Sequence, residues 1–331
     1  MNSEADTRAT TAERSLVAAP PPLEAGSGNL GNRLMSGASG AAATLIVALL
    51  AAVGIFLLIR GWPAITTNSA ELADSISWFP QDANLLTFIA PLVFGTVLAA
   101  GLALLLAVPM AIAIALYLSY YAPRRLAQLF GYLIDLLTAI PSVVYGLWGG
   151  LWLLPRLEGV WQWLSDVAGW LPFFAPPVAT PARNIASVGV VLAIMVLPII
   201  TAIARESYSQ TPRLHTEAAL ALGATRWEML RMTVLPFGRS GVLSASMLGL
   251  GRALGETMAV LMILSPGASF SLNLLQAGQH QTIAANIAAQ FPEANPSGVA
   301  VLITTGLALF VITLIVNSAA RWITTGRKAA R

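Results

Sequence analysis

The 331-residue chain is 56% hydrophobic and only 10% charged, where soluble domains carry roughly 25% charged residues, so its composition belongs to the membrane class. Its formal net charge of +3 comes from basic residues at the ends of apolar segments, not from an aromatic-interleaved patch, which argues against a nucleic-acid partner. It has no cysteine, and its two histidines, His215 and His280, lie far apart, which excludes disulfides, thiolate chemistry and a histidine metal site.

Residues 1–33 are polar, small and interrupted by Pro20, Pro21 and Pro22, a composition that predicts a disordered tail. No cleavage site follows the next apolar run, so the first apolar segment is expected to stay in the mature protein. A membrane-crossing helix needs roughly 20 apolar residues. Runs of that kind predict spans at about 41–59, 88–118, 126–154, 185–203, 241–264 and 299–320, six in all. Pro109 and Pro141 predict bends in the second and third of these.

Basic residues set the expected orientation. With the amino terminus in the cytosol, that side collects Arg124, Arg125, Arg205, Arg213, Arg226, Arg231 and Arg239 together with both arginine-bearing termini, while the other side keeps Arg60, Arg156 and Arg183. The segment 265–298 has no Lys or Arg. This asymmetry predicts that both termini are cytosolic.

A polar stretch at 208–236 separates the fourth and fifth spans. Thr211 suits an N-cap and Pro212 a first helical position, and alanine and leucine then favour helix as far as Gly223. Thr225 and Glu228 have capping-box spacing and predict a second short helix that stops before Pro236. The result is a helix–turn–helix too short and polar to cross a bilayer. Its Glu217-Ala218-Ala219, then Gly223, then Leu235-Pro236, resemble the EAA loop of ABC importer permeases, with Thr233 where that pattern has isoleucine. The resemblance implies a coupling helix, with Glu217, Ala218, Ala219 and Gly223 at the contact with a separate ATP-hydrolysing subunit. The chain has no Walker A sequence and its only lysine is Lys328, so ATP is expected on the partner and no cofactor on this chain.

In the fifth span, Arg252 and Glu256 are four residues apart and would share one face of a continuous helix, with Gly249, Gly251 and Gly255 permitting close helix approach. An ion at that depth costs about 2.5–3.5 kcal/mol on insertion scales and does not face lipid. Two readings stand: a structural ion pair, or a pathway in which Arg252 offers its planar fork to an oxyanion and Glu256 holds it between turnovers. Thr257 adds a hydroxyl donor. Asp135, in the third span, reads either as a packing acid facing an arginine or as a pathway residue.

The stretch from Gly251 to Val260 is similar to the signature of phosphate-specific ABC importer permeases, and that from Ala139 to Gly149, with Asp135 before it, is similar to their PstC-type subunit. The resemblance covers the chain from about residue 88 onward. It implies an all-α integral membrane protein of the type I ABC importer permease fold, with a permease domain at 34–331 and its core at about 88–321, in the cytoplasmic (inner) membrane. It also implies a second permease (PstA-type), two nucleotide-binding subunits (PstB-type) and an extracytoplasmic phosphate-binding protein (PstS-type), with no catalytic residue on this chain. A permease for sulfate or molybdate shares this architecture. A secondary transporter or channel would leave the EAA loop unexplained.

Overall fold

The computed structural model describes residues 29–326, and among them only helices, turns and irregular connections occur. The chain divides into two units, Met1–Ile55 and Phe56–Arg331. The first holds the start of helix α1 (Asn29–Thr66), where Leu45, Ile46, Val47, Leu49 and Ile55 are all exposed. A helix apolar on every side belongs in lipid. Its start at Asn29 takes residues 29–33 out of the expected tail, and the rest of that tail lies outside the described residues.

In the second unit, α2 (Ser69–Ser75) precedes α3 (Leu85–Leu116), which opens on an Asn84–Thr87 capping box and ends in a π-helical turn, Tyr117–Tyr121. The next helices are α4 (Arg124–Thr138), α5 (Ser142–Trp148), a π turn at Gly149–Leu153 and α6 (Leu154–Ala168). Then come α7 (Ile185–Ser209), α8 (Arg213–Ala221), α9 (Arg226–Met229), a π turn at Leu230–Val234 and α10 (Leu235–Leu254). Last are α11 (Met258–Ile263), α12 (Ile283–Gln290) and α13 (Pro296–Gly326).

Four stretches are single helices long and apolar enough to cross a membrane: Gly31–Thr66, Leu85–Tyr121, Ile185–Ser209 and Pro296–Ala320. Two of the six expected spans are therefore not continuous helices. The third, expected at 126–154, breaks between α4 and α5, with a 95° bend between α4 and the helical run Ser142–Ala168. Pro141 is the cause: it disfavours helical backbone at Ile140 and supplies no N–H, so α4 stops at Thr138. The fifth, expected at 241–264, breaks between α10 and α11, and neither helix nor the pair is long and apolar enough to count as a span. The described residues therefore give four spans, or five with the bent third, where six were expected.

The core is built on α3 against α7. Ala99, Ala103, Ala107, Ala111 and Ala115, one every turn of α3, have almost no exposed surface and lie in two clusters with residues of α7 such as Val188, Leu192, Ile200 and Ala204. In lipid there is no hydrophobic drive between helices, so close contact through small residues is what holds such a pair. A second cluster gathers Leu72, Ile76, Phe79, Phe88 and Leu92 with Ile283 and Val301.

The long connection between α11 and α12 is tied down at several points. Gly95 lets the Gln281 carbonyl lie where a side chain would otherwise be, and the Thr96 hydroxyl accepts from the Ile283 N–H at 2.9 Å. Asn184 donates to the Leu275 carbonyl at 3.1 Å.

Candidate functional site

Two interrupted helical stretches, α4–α5 and α10–α11, meet at the candidate site. α11 packs against α5, where a methyl group on Gly146 would meet the Ala259 backbone and the Met262 sulfur, both at 2.9 Å. Gly149, one turn further, faces Ile263 and Val191 in the same way. Both glycines serve as contact surface. Beyond them, Arg183 donates to the Met262 carbonyl at 3.2 Å, placing a cation at the C-terminal end of α11 where unpaired carbonyls gather. The Tyr145 hydroxyl donates to the Leu137 carbonyl at 3.1 Å and so ties α5 back to α4 across the Pro141 break.

The break after Leu254 separates Arg252 from Glu256. Gly255, at φ −90° and ψ 0°, ends α10, and a new helix begins at Met258, so the two residues do not share one continuous helical face. Glu256 is buried, and its Oε1 accepts from the Ala259 N–H at 3.1 Å, capping the start of α11. The Thr257 hydroxyl donates to the Gly255 carbonyl at 3.2 Å. Arg252 is half-buried in the last turn of α10 and, among the described residues, has no side-chain hydrogen bond or ion pair. The expected pairing thus resolves into a carboxylate committed to the backbone and a guanidinium fork left open. Irregular backbone at membrane depth is tolerated only where protein buries it or a watery cavity borders it. An uncommitted arginine there can donate two parallel hydrogen bonds to an oxyanion.

Tyr145 is the residue that sequence reasoning passed over. It lies in the stretch read as a motif, but only the fold shows its hydroxyl tying α5 back to α4 across the Pro141 break. Asp135 goes elsewhere: it lines a cavity between α4 and α7 with Arg205 and Arg213, a lining that does not include Arg252, Glu256 or Thr257.

The elbow between α7 and α10 follows the sequence closely. α8 starts at Arg213, with Pro212 rather than Thr211 in the capping position. Gly223 turns the chain at φ +85°, a backbone conformation that L side chains rarely adopt. Thr225 and Glu228 form the expected capping box, with the Thr225 N–H on the carboxylate at 2.8 Å and the Glu228 N–H on the Thr225 hydroxyl at 3.3 Å. Those bonds hold the Glu228 carboxyl below its ordinary pKa. The stabilisation is therefore complete above the usual carboxylate pKa and fades as pH falls through the lowered one. Helical structure does not stop before Pro236 as expected. It runs through the π turn into α10, whose first turn holds Pro236.

Glu217, Ala218 and Gly223 are exposed, whereas Ala219 packs inward with Tyr208, Met229 and Leu230. Leu214, Leu222 and Trp227 are 78%, 89% and 58% exposed, an apolar rim on the elbow that periodicity did not reveal. Thr225→Ala is expected to remove about 1 kcal/mol of cap stability. The check is faster hydrogen exchange at residues 225–229 with exchange in α7 unchanged.

Residues 107–328 match the family described as the binding-protein-dependent transport system inner membrane component. The chain belongs to that family. It is a multi-pass membrane permease subunit, and a family member of this kind is not itself an enzyme. Among its relatives are proteins named phosphate transport system permease protein PstC 2 from Mycobacterium bovis and Mycobacterium tuberculosis, each 46% identical over 303 residues, covering 90% of this chain and 93% of the relative. The phosphate transport system permease protein PstC of Mycobacterium leprae is 44% identical over 280 residues, covering 82% of this chain and 86% of its own length.

Proposed function

We propose that this permease is one half of the membrane pathway of an ATP-driven importer for inorganic phosphate. The observation that carries the reading is the open guanidinium of Arg252 at the meeting of two broken spans, in a chain whose relatives are named for phosphate transport. A permanently charged donor with bidentate geometry matches phosphate well, and a pathway must release what it binds. Arg252 supplies the fork. Glu256 caps α11, and Thr257 stands beside it at the break.

The elbow faces the cytosol in this reading, as do both termini, because the basic residues collect on that side. Its exposed rim of Leu214, Leu222 and Trp227, beside Glu217 and Ala218, docks on a nucleotide-binding subunit of PstB type, and Gly223 keeps the turn tight. The second permease is of PstA type, and a PstS-type binding protein delivers phosphate from outside. ATP stays on the partner: this chain transmits the closure of the ATPase pair through α8 and α9 to α10, whose far end carries Arg252.

The test is ATP-dependent uptake of labelled inorganic phosphate by the reconstituted four-component complex with sulfate in excess. Uptake that needs ATP and ignores sulfate is the expected result. Competition by sulfate would overturn the substrate assignment and leave the importer architecture standing.

A further inference from the structure

We propose that the cavity between α4 and α7 is a second anion site, built for a phosphate group and bridging the coupling elbow to the third span. It has a volume of about 580 Å³, and its lining includes Arg124 of α4, Arg205 of α7 and Arg213 of α8. None of the three guanidinium groups makes a side-chain hydrogen bond or ion pair among the described residues. Asp135 and Glu206 also line the cavity, and the Glu206 carboxylate accepts from the Gln210 amide at 3.2 Å. The arginines therefore outnumber the carboxylates, and the lining carries net positive charge.

Two further observations set this apart from a solvated charge cluster. Gly131 is the seat of Arg205: a side chain at that position would overlap the Arg205 guanidinium, so α4 is shaped to hold that group at the cavity wall. The Ser119 and Thr211 hydroxyls, also in the lining, are buried and have no hydrogen-bond partner, with Thr211 7% exposed. Buried hydroxyls are seldom left unsatisfied. Planar arginine forks with hydroxyl donors are the usual answer to a tetrahedral, multiply charged oxyanion. Because Arg213 opens the coupling helix and Arg124 opens α4, an anion held between them links the two elements without contact with Arg252.

The chemistry fits free inorganic phosphate or the phosphodiester of an anionic lipid headgroup. The inference rests on the cytosolic placement of the elbow in the proposed function, but its test does not need transport. The assembled transporter, without binding protein, is placed in nanodiscs of phosphatidylcholine and dialysed against labelled inorganic phosphate. Saturable binding is expected, weakened about tenfold or more by Arg205→Gln or Arg213→Gln, since a charge-assisted hydrogen bond is worth about 1.5–3 kcal/mol. It is expected to survive Arg252→Gln.

In discs containing phosphatidylglycerol, lipid retained on the wild type and lost from the same variants by native mass spectrometry would make the headgroup the occupant. Retention of neither ligand by the wild type, or equal retention by wild type and arginine variants, overturns the site. So does phosphate binding abolished by Arg252→Gln alone. Arg213 is exposed, so its variant carries the test if Arg205→Gln fails to assemble. Intact uptake with no binding difference would sink this site alone. Binding at this site in a complex that does not import phosphate would sink the proposed function alone.

Discussion

Arg252→Gln is expected to assemble normally and to lose at least about 100-fold in phosphate uptake. The magnitude follows from two charge-assisted hydrogen bonds of about 1.5 kcal/mol or more each, together about 3 kcal/mol at the rate-determining encounter. Assembly is expected to hold because the Arg252 side chain makes no hydrogen bond or ion pair among the described residues that its loss would orphan. Arg252→Lys keeps the charge but not the fork and is expected to fall between wild type and glutamine. Glu256→Gln keeps an acceptor for the Ala259 N–H, so α11 is expected to stay capped while the local charge changes. Normal uptake by an assembled Arg252→Gln complex would make the arginine structural. Failure of that variant to assemble, with Arg252→Lys equally affected, would point the same way.

Gly146→Ala is expected to damage the permease more than the same change at any other glycine near the site. The first added carbon already lies 2.9 Å from the Ala259 Cα, and a backbone atom cannot turn aside as a rotamer can. Overpacking of this kind costs about 1–3 kcal/mol, and here it acts on the contact that sets α5 against α11. A lower midpoint of thermal unfolding in detergent is expected, together with loss of uptake. Gly101 is the control, because nothing lies within 4 Å of a side chain placed there. Gly101→Ala is expected to leave both readouts unchanged. Equal tolerance at Gly146 and Gly101 would show that the two broken spans do not depend on this contact.

Much of the architecture was legible in the chain because local chemistry and final structure agree. Four spans follow from apolar length, the elbow from a capping box at Thr225–Glu228, and its turn from a glycine at φ +85°. The two breaks were legible only in part. Pro141 announced a bend, yet the 95° turn between α4 and the run Ser142–Ala168 stands because Tyr145 ties the limbs and Gly146 and Gly149 admit α11. The break at Gly255–Thr257 carries no proline. It persists because Glu256 caps one end of α11 and Arg183, some 80 positions earlier in the chain, satisfies the other. No local window contains both. The same holds for the cavity of Arg124, Arg205 and Arg213: each arginine read as a marker of membrane orientation, and only the packing of α4 on α7 assembles them.

The alanine ladder of α3 bears on how such a protein can change state. Alanine has no side-chain torsion, so a seam built from Ala99, Ala103, Ala107, Ala111 and Ala115 has no second set of rotamers into which it can repack. A tightly packed seam of that kind behaves as a rigid keel. Shape change in this subunit then falls to the two interruptions themselves, Ala139–Pro141 and Gly255–Thr257, where the backbone leaves the helical path. On the proposed importer reading, movement during transport is a displacement of α5 and α11 against the α3–α7 frame, with the elbow as its lever.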